Sequence, residues 1–319
     1  MKAAFYSKYG SPNVISIKEI NKPIPKSNEV LVKVYASSLN ASDFEFLKGK
    51  PLYTRMWGLT KPKNNILGSD ISGIIEEVGI KCEKFKVAQK VFGDIFEHWG
   101  GFAEYVCVPE NLLTLIPDYL SFEQAASLPQ ASIIALQGLQ PFDSLKNKNV
   151  LINGAGGGAG SLAIQIAKNY NAIVTGVDNT SKVEFMKNLG ADFTIDFTKE
   201  DFTNNGRQYD LILDFTASHS IISYYKSLAP NGSYVMVGGT IPHLLQTLIF
   251  GSLISAFTKK KMRILAVKPN KGIDDVLNLI SKGVLVPKIN KVFNLNEIVD
   301  AFKYFDSGNS TGKIIIKNY

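Results

Sequence analysis

Two patterns of apolar and polar residues divide this chain, and the change between them comes near residue 120. In the first part, short runs alternate between apolar and polar positions and are separated by Gly, Pro and Asn; they lie at 30–36, 70–78, 90–95 and 102–108. Alternation with a period of two is typical of half-buried β-strands. The short, broken spacing of these strands predicts an antiparallel or barrel-like domain.

From residue 149 onward, strand patterns alternate with helical ones. An apolar run at 149–152 precedes a glycine cluster, a helical pattern beginning near 159 and a second strand-like run at 172–177. A second helix is predicted next, begun by a capping box of Ser181 and Glu184 and ended by Gly190. Further strand candidates follow at 193–195, 211–215, 233–238 and 263–267. Such alternation predicts an α/β fold, with a doubly wound parallel sheet covered by helices on both faces.

Length and pattern together predict two domains. A chain of 319 residues exceeds the roughly 100–200 residues that one domain usually holds. After about residue 268 the pattern changes again, to two helices and a closing strand at 313–317. We therefore expect a first domain at 1–122, a doubly wound domain at 123–266 and a return of 267–319 to the first domain.

A cluster of glycines separates the first strand of the α/β domain from its helix. The stretch "NGAGGGAGSLAIQIAK" (153–168) contains Ala155-x-Gly157-x-x-Gly160, whose first position permits a tight turn. Gly157 would let the backbone approach a pyrophosphate, and Gly160 would let the helix pack closely on the strand. The helix would direct its free N–H groups and positive dipole end at the phosphates. We therefore predict a dinucleotide site formed by Ala155, Gly156, Gly157, Gly158, Ala159 and Gly160.

The end of the second α/β strand bears on the choice of cofactor. Asp178 ends that strand, where a carboxylate can accept both ribose hydroxyls of NAD and would repel the 2′-phosphate of NADP. Lys182 favours the opposite choice, because a lysine offers a cation to that phosphate. Side chains beside it add hydrogen-bond donors and belong to the same predicted site: Asn179, Thr180 and Ser181.

Two features follow the fifth predicted strand of this domain. Gly238 and Gly239 stand at its carboxyl end, where ligands bind in doubly wound folds, so we count them with the cofactor site. The longest apolar stretch of the chain, 244–257, comes next and precedes three lysines. One interpretation is a surface-binding amphipathic helix. We favour the other, in which its apolar face belongs to the core or covers the substrate pocket.

Composition excludes several classes of protein. With 45 % hydrophobic and 20 % charged residues, the chain has an ordinary globular composition. Its net charge of +7 comes from scattered lysines apart from the run 259–261, so we expect no nucleic-acid partner. Two cysteines without CxxC spacing and three histidines offer neither a disulfide framework nor a structural zinc cluster. The chain shows no signal peptide and no apolar stretch long enough for a transmembrane segment, which predicts a cytoplasmic protein.

The chain resembles the medium-chain dehydrogenase/reductase superfamily, and within it the zinc-independent quinone-oxidoreductase-like enzymes. Besides the glycine cluster, the likeness rests on "EVLVKVYASSLNASD" (29–43), "GSDISGIIEEVG" (68–79), "AASLPQASIIALQGL" (125–139), "NLGADFTIDFTKEDF" (188–202) and "STGKIIIK" (310–317). The resemblance implies a GroES-like catalytic domain built from both chain ends around a Rossmann domain, with the nucleotide in the cleft between them. It also suggests a homodimer, for which no pattern in the sequence gives independent evidence.

Departures from the zinc-dependent members of that superfamily concern the metal ligands. Those members carry a catalytic Cys where this chain has Asn40, a His-Glu pair where it has Ser69-Asp70, and a third ligand near Gln130. The set that remains lacks the usual three protein ligands of a catalytic zinc, so we predict that no metal takes part. Zinc-free members often have a threonine where this chain has Ile134, which removes one polar contact near the nicotinamide.

The predicted reaction is hydride transfer from a nicotinamide cofactor to a quinone or an α,β-unsaturated carbonyl. Without a metal, hydrogen-bond donors must stabilise the developing enolate or hydroquinone anion. Candidate catalytic residues are Asn40 and Asp43, whose positions line the substrate cleft in relatives, and Tyr53, a neutral donor. An Asn or Asp after a strand is equally typical of a turn.

NADP(H) is the favoured cofactor by resemblance, and NAD(H) stays open. The expected partner is a small electrophilic substrate. Two alternatives remain. One is a non-enzymatic NADPH-binding protein of the same fold that binds RNA or a membrane surface, and the other is a zinc-free enzyme that resembles an alcohol dehydrogenase.

Overall fold

The computed structural model describes residues 1–140 and 144–319 and contains two compact units. Unit 1 consists of Met1–Gln130 and Ile289–Tyr319, and unit 2 consists of Ala131–Lys288. In the described residues, no helix is both long and apolar enough to cross a membrane.

The unit boundaries lie further along the chain than the predicted boundaries after residues 122 and 266. Residues just beyond 266 stay with unit 2 because Gln137 holds them. Its Nε2 donates to the carbonyl oxygens of Lys268 (2.9 Å) and Lys271 (3.0 Å), and its Oε1 accepts the Lys268 N–H (3.0 Å). Two hydrogen-bonding side-chain atoms thus hold in unit 2 a segment that the sequence analysis assigned to the first domain.

Unit 1 is built on β-strands with few helices. Its strands are β1 (Lys2–Phe5), β2 (Ser16–Glu19), β3 (Glu29–Leu39), β4 (Asp70–Val78), β5 (Lys90–Asp94), β6 (Tyr105–Pro109), β7 (Thr114–Leu115), β14 (Ile289–Asn294) and β15 (Lys313–Lys317). Its helices are α1 (Ala41–Lys48), α2 (Phe122–Ala126) and α10 (Ile298–Asp306), and α3 (Pro129–Gly138) begins in unit 1 and ends in unit 2.

The main sheet of unit 1 has the order β14-β15-β3-β4-β5-β7, with β6 also paired to β3. All of its pairs are antiparallel except β14 with β15, which confirms the antiparallel prediction for this part of the chain. Alternate residues of β3, such as Val30, Val32 and Val34, are fully buried in one core cluster with Ile71 and Ile75 of β4. Since alternate side chains share one face, this period of two fixes the register.

Unit 2 is a parallel six-stranded sheet with helices between the strands, as predicted. The strands are β8 (Asn149–Asn153), β9 (Ile173–Asp178), β10 (Phe193–Asp196), β11 (Tyr209–Asp214), β12 (Leu228–Met236) and β13 (Lys261–Ile264). The helices are α4 (Gly158–Asn169), α5 (Val183–Asn188), α6 (Ile221–Ser227), α7 (Ile241–Gln246), α8 (Ser252–Phe257) and α9 (Ile273–Ser281).

The six parallel strands have the order β10-β9-β8-β11-β12-β13. Successive strands are added on one side of β8 as far as β10, and the chain then crosses to β11 on the other side of β8. In doubly wound folds, ligands bind outside the carboxyl ends of the strands at such a switch point. The ends of β8, β9, β11 and β12 therefore mark where a ligand of unit 2 would bind.

The predicted capping box of the second α/β helix is wrong. The Asn179 side chain accepts the N–H of Ser181 (3.1 Å) and starts a 3₁₀ turn, and α5 begins only at Val183. An Asn that bonds the backbone two residues ahead competes with a cap further along the chain. Gly190, with φ of +99°, follows the end of this helix as predicted.

The apolar stretch 244–257 forms α7, a π-helical turn (Thr247–Gly251) and α8 without interruption. Thr247 and Gly251 are buried, and Leu244 and Ile254 pack against the core of unit 2. The inner face therefore belongs to the core, as we favoured from the sequence. The outer face is also apolar and is exposed.

Candidate functional site

The loop between β8 and α4 is held tightly against the next strand. The N–H groups of Gly154 and Ala155 donate to the carbonyl oxygen of Val177 (2.9 and 3.0 Å), and Gly154 has a φ of +85°. A Cβ on Gly160 would lie 2.2 Å from the Gly154 carbonyl oxygen. Only glycine at 160 allows α4 to begin this close to the strand.

Gly157 differs from Gly160 because it faces open space. A Cβ built there would contact only the Gly154 carbonyl oxygen, at an ordinary 3.4 Å. Gly157 precedes α4, and the N–H groups of the first helical turn have no carbonyl partner within the helix. These donors and the positive end of the helix dipole fit the pyrophosphate of a dinucleotide.

Asp178 and Lys182, which we expected to favour different cofactors, are paired with each other. Lys182 Nζ lies 3.2 Å from Asp178 Oδ1, and both side chains are buried. The N–H of Asn179 donates to the same oxygen (2.9 Å), and that of Gly156 donates to Oδ2 (2.9 Å). Asp178 thereby uses three of about four acceptor sites, and Lys182 balances its charge.

The exposed Thr180 and Ser181 lie beside this pair and are themselves hydrogen-bonded. Thr180 Oγ1 donates to Asp196 Oδ2 (2.5 Å), and Ser181 Oγ donates to Asn179 Oδ1 (2.6 Å). Hydrogen bonds from Thr180 and Thr198 lower the pKa of Asp196 to about 2. The sequence analysis missed Asp196, although its place at the end of the third α/β strand is the same signal that identified Asp178.

A second missed acid, Asp214, ends β11 at the switch point and is completely buried. Its Oδ1 accepts from Asn153 Nδ2 (2.9 Å) and from the N–H groups of Thr216 (3.1 Å) and Ala217 (2.9 Å). Tyr234 donates its hydroxyl to Oδ2 (3.0 Å). Desolvation and the Asp214 charge raise the pKa of Tyr234 above its ordinary value. This network fixes the ends of β8, β11 and β12 relative to one another.

Gly238 and Gly239 follow β12 in tight surroundings. A Cβ on Gly238 would lie 2.8 Å from the Phe215 carbonyl oxygen, and one on Gly239 would lie 2.6 Å from Met236 Cε and 2.7 Å from Ala217 Cβ. Larger residues would displace the segment at the carboxyl end of β12. Contact of Gly238 and Gly239 with a cofactor stays a prediction.

Unit 1 brings together the positions at which the zinc-dependent relatives carry metal ligands. Asn40 Nδ2 donates to Asp70 Oδ2 (2.9 Å) and to Ser69 Oγ (3.1 Å), and the N–H of Gln130 donates to Asp70 Oδ1 (2.9 Å). Both N–H groups of the Asn40 amide are therefore engaged within this cluster. None of these bonds could be read from the sequence, because the residues come from distant parts of the chain.

A lysine ammonium lies in the middle of this cluster, and the sequence analysis did not single it out. Lys313 Nζ donates to Asn40 Oδ1 (2.5 Å) and lies 3.4 Å from Asp70 Oδ2, and both charged side chains are buried. Burial lowers the pKa of Lys313, while the Asp70 charge opposes that shift. A cation is thus present among the residues that replace the metal ligands.

Two further carboxyl groups near Lys313 are buried and have raised pKa values. Desolvation is the main cause in both, with repulsion from Asp70 as an added one; the pKa of Asp43 rises to about 7 and that of Asp94 to about 8. Asp43 accepts the N–H of Asn40 at Oδ2 (2.7 Å) and that of Gly68 at Oδ1 (2.9 Å). These bonds hold the start of α1 in place.

Tyr53 lies in a 3₁₀ segment (Leu52–Trp57) and is 39 % exposed. Its hydroxyl donates to Glu45 Oε2 (2.8 Å) on α1. Desolvation, followed by the Glu45 charge, raises the pKa of Tyr53, and burial raises that of Glu45. Tyr53 therefore stays neutral at physiological pH and keeps a hydroxyl proton that a substrate oxygen could accept.

Within the part of the chain that the structure describes, no three His, Cys, Asp or Glu side chains are grouped so that they could hold a metal ion. The absence of a catalytic metal stays a prediction, since it concerns the protein in solution.

Two family models match different stretches of the chain. Residues 26–118 match the model of the alcohol dehydrogenase GroES-like domain, and residues 189–316 match that of a zinc-binding dehydrogenase family. The GroES-like match confirms the fold expected for unit 1.

Individual relatives match the whole chain. A 2-methylene-furan-3-one reductase of Solanum lycopersicum is 32 % identical over 99 % of this chain and 79 % of its own length. An NADPH-dependent alkenal/one oxidoreductase of Arabidopsis thaliana, a chloroplast protein, is 30 % identical with the same coverage. The solved structure of the quinone oxidoreductase from Coxiella burnetii is 29 % identical and has a TM-score of 0.90, covering 100 % of this chain and 99 % of its own. This chain belongs to the medium-chain dehydrogenase/reductase superfamily, in its quinone oxidoreductase and alkenal reductase branch.

Proposed function

We propose that the protein uses NADPH to reduce a quinone or the C=C bond of an α,β-unsaturated carbonyl without a catalytic metal. The observation that carries this proposal is the ammonium of Lys313 bonded to Asn40 and beside Asp70. A divalent cation at the same place would meet a positive charge and an amide in the position of a thiolate. The activities for which two relatives are named, a 2-methylene-furan-3-one reductase and an NADPH-dependent alkenal/one oxidoreductase, support the same substrate classes.

Residues of unit 2 are proposed to bind the cofactor. The first-turn N–H groups of α4 would hold the pyrophosphate beside Gly157, and Lys182 would meet the 2′-phosphate. Because Lys182 already balances Asp178, that carboxylate does not oppose a 2′-phosphate as strongly as an unpaired one would. When bound, NADPH supplies the hydride.

Residues of unit 1 are proposed to handle the charge that develops on the substrate. A conjugated acceptor delocalises the incoming electron pair onto its oxygen, where one hydrogen-bond donor lowers the energy of the anion. We assign this donor to Tyr53, whose partly exposed hydroxyl would exchange its bond to Glu45 for one to the substrate oxygen. We assign Asn40 and Asp43 to positioning, because they are buried and their hydrogen-bonding groups are engaged inside unit 1. Solvent delivers the final proton to the carbon or oxygen.

An acceptor screen tests the proposal. NADPH absorbance is followed with a benzoquinone, a 2-alkenal and an alkenone, and a primary alcohol is tested with NADP⁺ in the reverse direction. We expect turnover of a quinone or of a conjugated C=C bond and poor oxidation of the alcohol. Fast alcohol oxidation with inert quinones and enones would refute the proposal. Reduction of the alkenone at its C=C bond would favour the alkenal/enone reductase activity over the quinone reductase activity.

A Tyr53→Phe variant tests the assigned donor. Loss of one donor to a developing oxyanion lowers kcat by about 10²-fold in comparable sites, and we expect this with little change in KM. Tyr170→Phe is the control, since Tyr170 has a similar exposure of 40 % and lies in unit 2 after α4. An unchanged kcat in Tyr53→Phe would remove Tyr53 from the mechanism.

A further inference from the structure

The 3₁₀ segment of unit 1 that carries Tyr53 exposes apolar side chains. Leu52 is 66 % exposed, Met56 is 80 % exposed, and Leu59, which lies just after the segment, is 77 % exposed. Because a 3₁₀ helix has three residues per turn, Met56 lies on the same face as Tyr53, one turn further along. Methionine adapts its shape to an apolar ligand. An apolar surface therefore adjoins the side chain that we assign as the donor.

Charge in this part of the chain has one sign. Residues 46–69 contain five lysine and arginine residues and no aspartate or glutamate. Two of the five have partners in unit 1, since Lys48 lies 3.3 Å from an Asp306 carboxylate oxygen and Arg55 donates to the Gly49 carbonyl oxygen (2.9 Å). The other three are exposed and have no ion-pair partner within the part of the chain that the structure describes; they are Lys50, Lys61 and Lys63.

Backbone contacts place these three lysines against the 3₁₀ segment. Lys50 directly precedes Pro51, whose carbonyl oxygen accepts two hydrogen bonds from the first turn of the segment (3.0 and 2.8 Å). Gly58 ends the segment, and a Cβ built on it would lie 2.1 Å from the Lys61 carbonyl oxygen and 3.0 Å from the Lys63 nitrogen. The segment is therefore flanked by one exposed lysine at its start and by two at its end.

We propose that the acceptor carries an anionic group, a carboxylate or a phosphate, at the end of an apolar chain, and that the three lysines bind this group. The conjugated carbonyl oxygen would meet Tyr53, and the chain would lie on Met56. Unpaired ammonium groups attract either anion, and the apolar side chains between them bury methylenes. The proposal rests on the proposed function, because that function determines which end of the acceptor faces Tyr53.

Glu45 sets a lower limit on the length of that chain. Its carboxyl group accepts the Tyr53 hydroxyl (2.8 Å), and burial raises its pKa. An anionic group close to the reacting carbonyl would also be close to this carboxyl group and would be repelled by its ionised form. The lysines flank the segment at its two ends instead. Several methylenes must therefore separate the anionic group from the conjugated carbonyl.

Matched acceptors test the anionic group. The probes are a vinyl ketone whose heptamethylene chain ends in a carboxylate, the same chain ending in a phosphate, and the uncharged methyl ester of the carboxylate. We expect kcat/KM with NADPH to be about tenfold higher for at least one anion than for the ester, as three exposed charge contacts together provide. The preference should fall when the salt is raised to about 0.5 M. The anion with the larger gain identifies the group that the lysines bind.

A triple variant locates the bound anion. Lys50→Gln combined with Lys61→Gln and Lys63→Gln should bring the ratio of kcat/KM for the anion and the ester close to one. The control, Lys81→Gln with Lys86→Gln, removes two exposed lysines from the loop between β4 and β5 and should keep the preference. A preference for the anion that survives in the triple variant would overturn the proposal.

Met56→Ser tests the path of the chain. It should lower kcat/KM about tenfold for the methyl ester, which keeps the heptamethylene chain, and leave methyl vinyl ketone unaffected because that acceptor has no chain to bury. Ile80→Ser changes an apolar side chain of the same control loop that is 91 % exposed, and should alter neither value. An equal loss for both acceptors in Met56→Ser would mean that the chain does not lie on Met56.

Calorimetry distinguishes failure of this proposal from failure of the proposed reaction, since it needs no turnover. The ligands are the saturated keto acid and its methyl ester, each added to the full chain with NADP⁺. Tighter binding of the acid by about tenfold, lost in the triple lysine variant, would support the anion site even if no acceptor were reduced. Equal Kd values for the acid and the ester, together with equal kcat/KM for the anions and the ester, would overturn it.

Discussion

Lys313 places its ammonium group in the interior of unit 1, among the buried side chains of Asn40, Asp70, Asp43 and Asp94. Its ammonium contacts Asn40 and Asp70, and Asp43 and Asp94 lie near enough for their charges to act on it. Removal of one partner of a buried pair leaves the other charge without compensation.

Lys313→Met should destabilise the protein by about 3–5 kcal/mol, because Asp70 would stay buried and lose the ammonium that pairs with it. Urea unfolding at neutral pH measures the change. The control is Lys317→Met on the same strand, whose partner Glu123 lies 2.8 Å away at a partly exposed site; exposed pairs contribute about 0–1 kcal/mol. Equal effects of the two substitutions would show that the buried pair stabilises the protein no more than the partly exposed pair does.

Asp94 should make stability depend on pH. Its pKa of about 8 in the folded protein exceeds that of the unfolded chain, so the folded state binds more protons and the free energy of unfolding falls as pH rises from about 4 to 8. Asp94→Asn should reduce that fall, as measured by urea unfolding at pH 5 and pH 8. Asp306→Asn, at a half-exposed carboxylate, should leave the slope unchanged. The same pH dependence of the free energy of unfolding in both variants would contradict its assignment to Asp94.

Lys182→Ala should weaken NADPH binding more than NADH binding, because only NADPH carries a 2′-phosphate. Loss of one charge-assisted hydrogen bond corresponds to about 1.5–3 kcal/mol, or about ten- to a hundredfold in Kd. Lys199→Ala is the matched control, since that lysine pairs with Asp196 and is 70 % exposed. Fluorescence titration gives both Kd values. Tighter NADH binding in Lys182→Ala would mean that Asp178 selects NAD.

At the scale of elements, two glycines that lie within four residues of each other, where β8 leads into α4, have different roles. Gly160 lets the helix approach the strand, and Gly157 leaves space in front of the helix N-terminus. The first role concerns folding and the second concerns the ligand. Substitutions of the two should therefore differ in kind.

Gly160→Ala should destabilise the fold, since its Cβ would lie 2.2 Å from the Gly154 carbonyl oxygen. Gly157→Ala should leave the unfolding midpoint nearly unchanged and raise the Kd for NADPH, because its Cβ meets open space that we assign to the pyrophosphate. Thermal unfolding and NADPH titration of both variants measure the contrast. Normal NADPH affinity in a folded Gly157→Ala variant would place the phosphates elsewhere.

At the scale of the whole molecule, the positions that carry metal ligands in zinc-dependent members of the superfamily hold a buried network of hydrogen bonds and one ammonium in this chain. Purified protein should therefore contain substoichiometric zinc, and incubation with a chelator should leave quinone or enone reduction unchanged. Elemental analysis paired with the activity assay checks both. Zinc at one equivalent, lost together with activity, would reverse the conclusion.

The sequence by itself determined the two classes of domain, the succession of strands and helices along most of the α/β domain and the glycine junction, because these depend on local periodicity and on residues adjacent in the chain. It also placed Asn40, Ser69, Asp70 and Gln130 at metal-ligand positions by resemblance. Only the tertiary structure joined them to Lys313, which stands 243 residues after Asp70 along the chain.

Three other features were also decided by tertiary structure. They are the pairing of Asp178 with Lys182, the hydrogen bonds of the Asn40 amide and the exposure of the outer face of 241–257. All three depend on side-chain directions and on which surfaces other elements cover. A one-dimensional pattern records which residues are apolar or charged. It does not record which partner each one meets, since that partner is set by long-range packing of the whole unit.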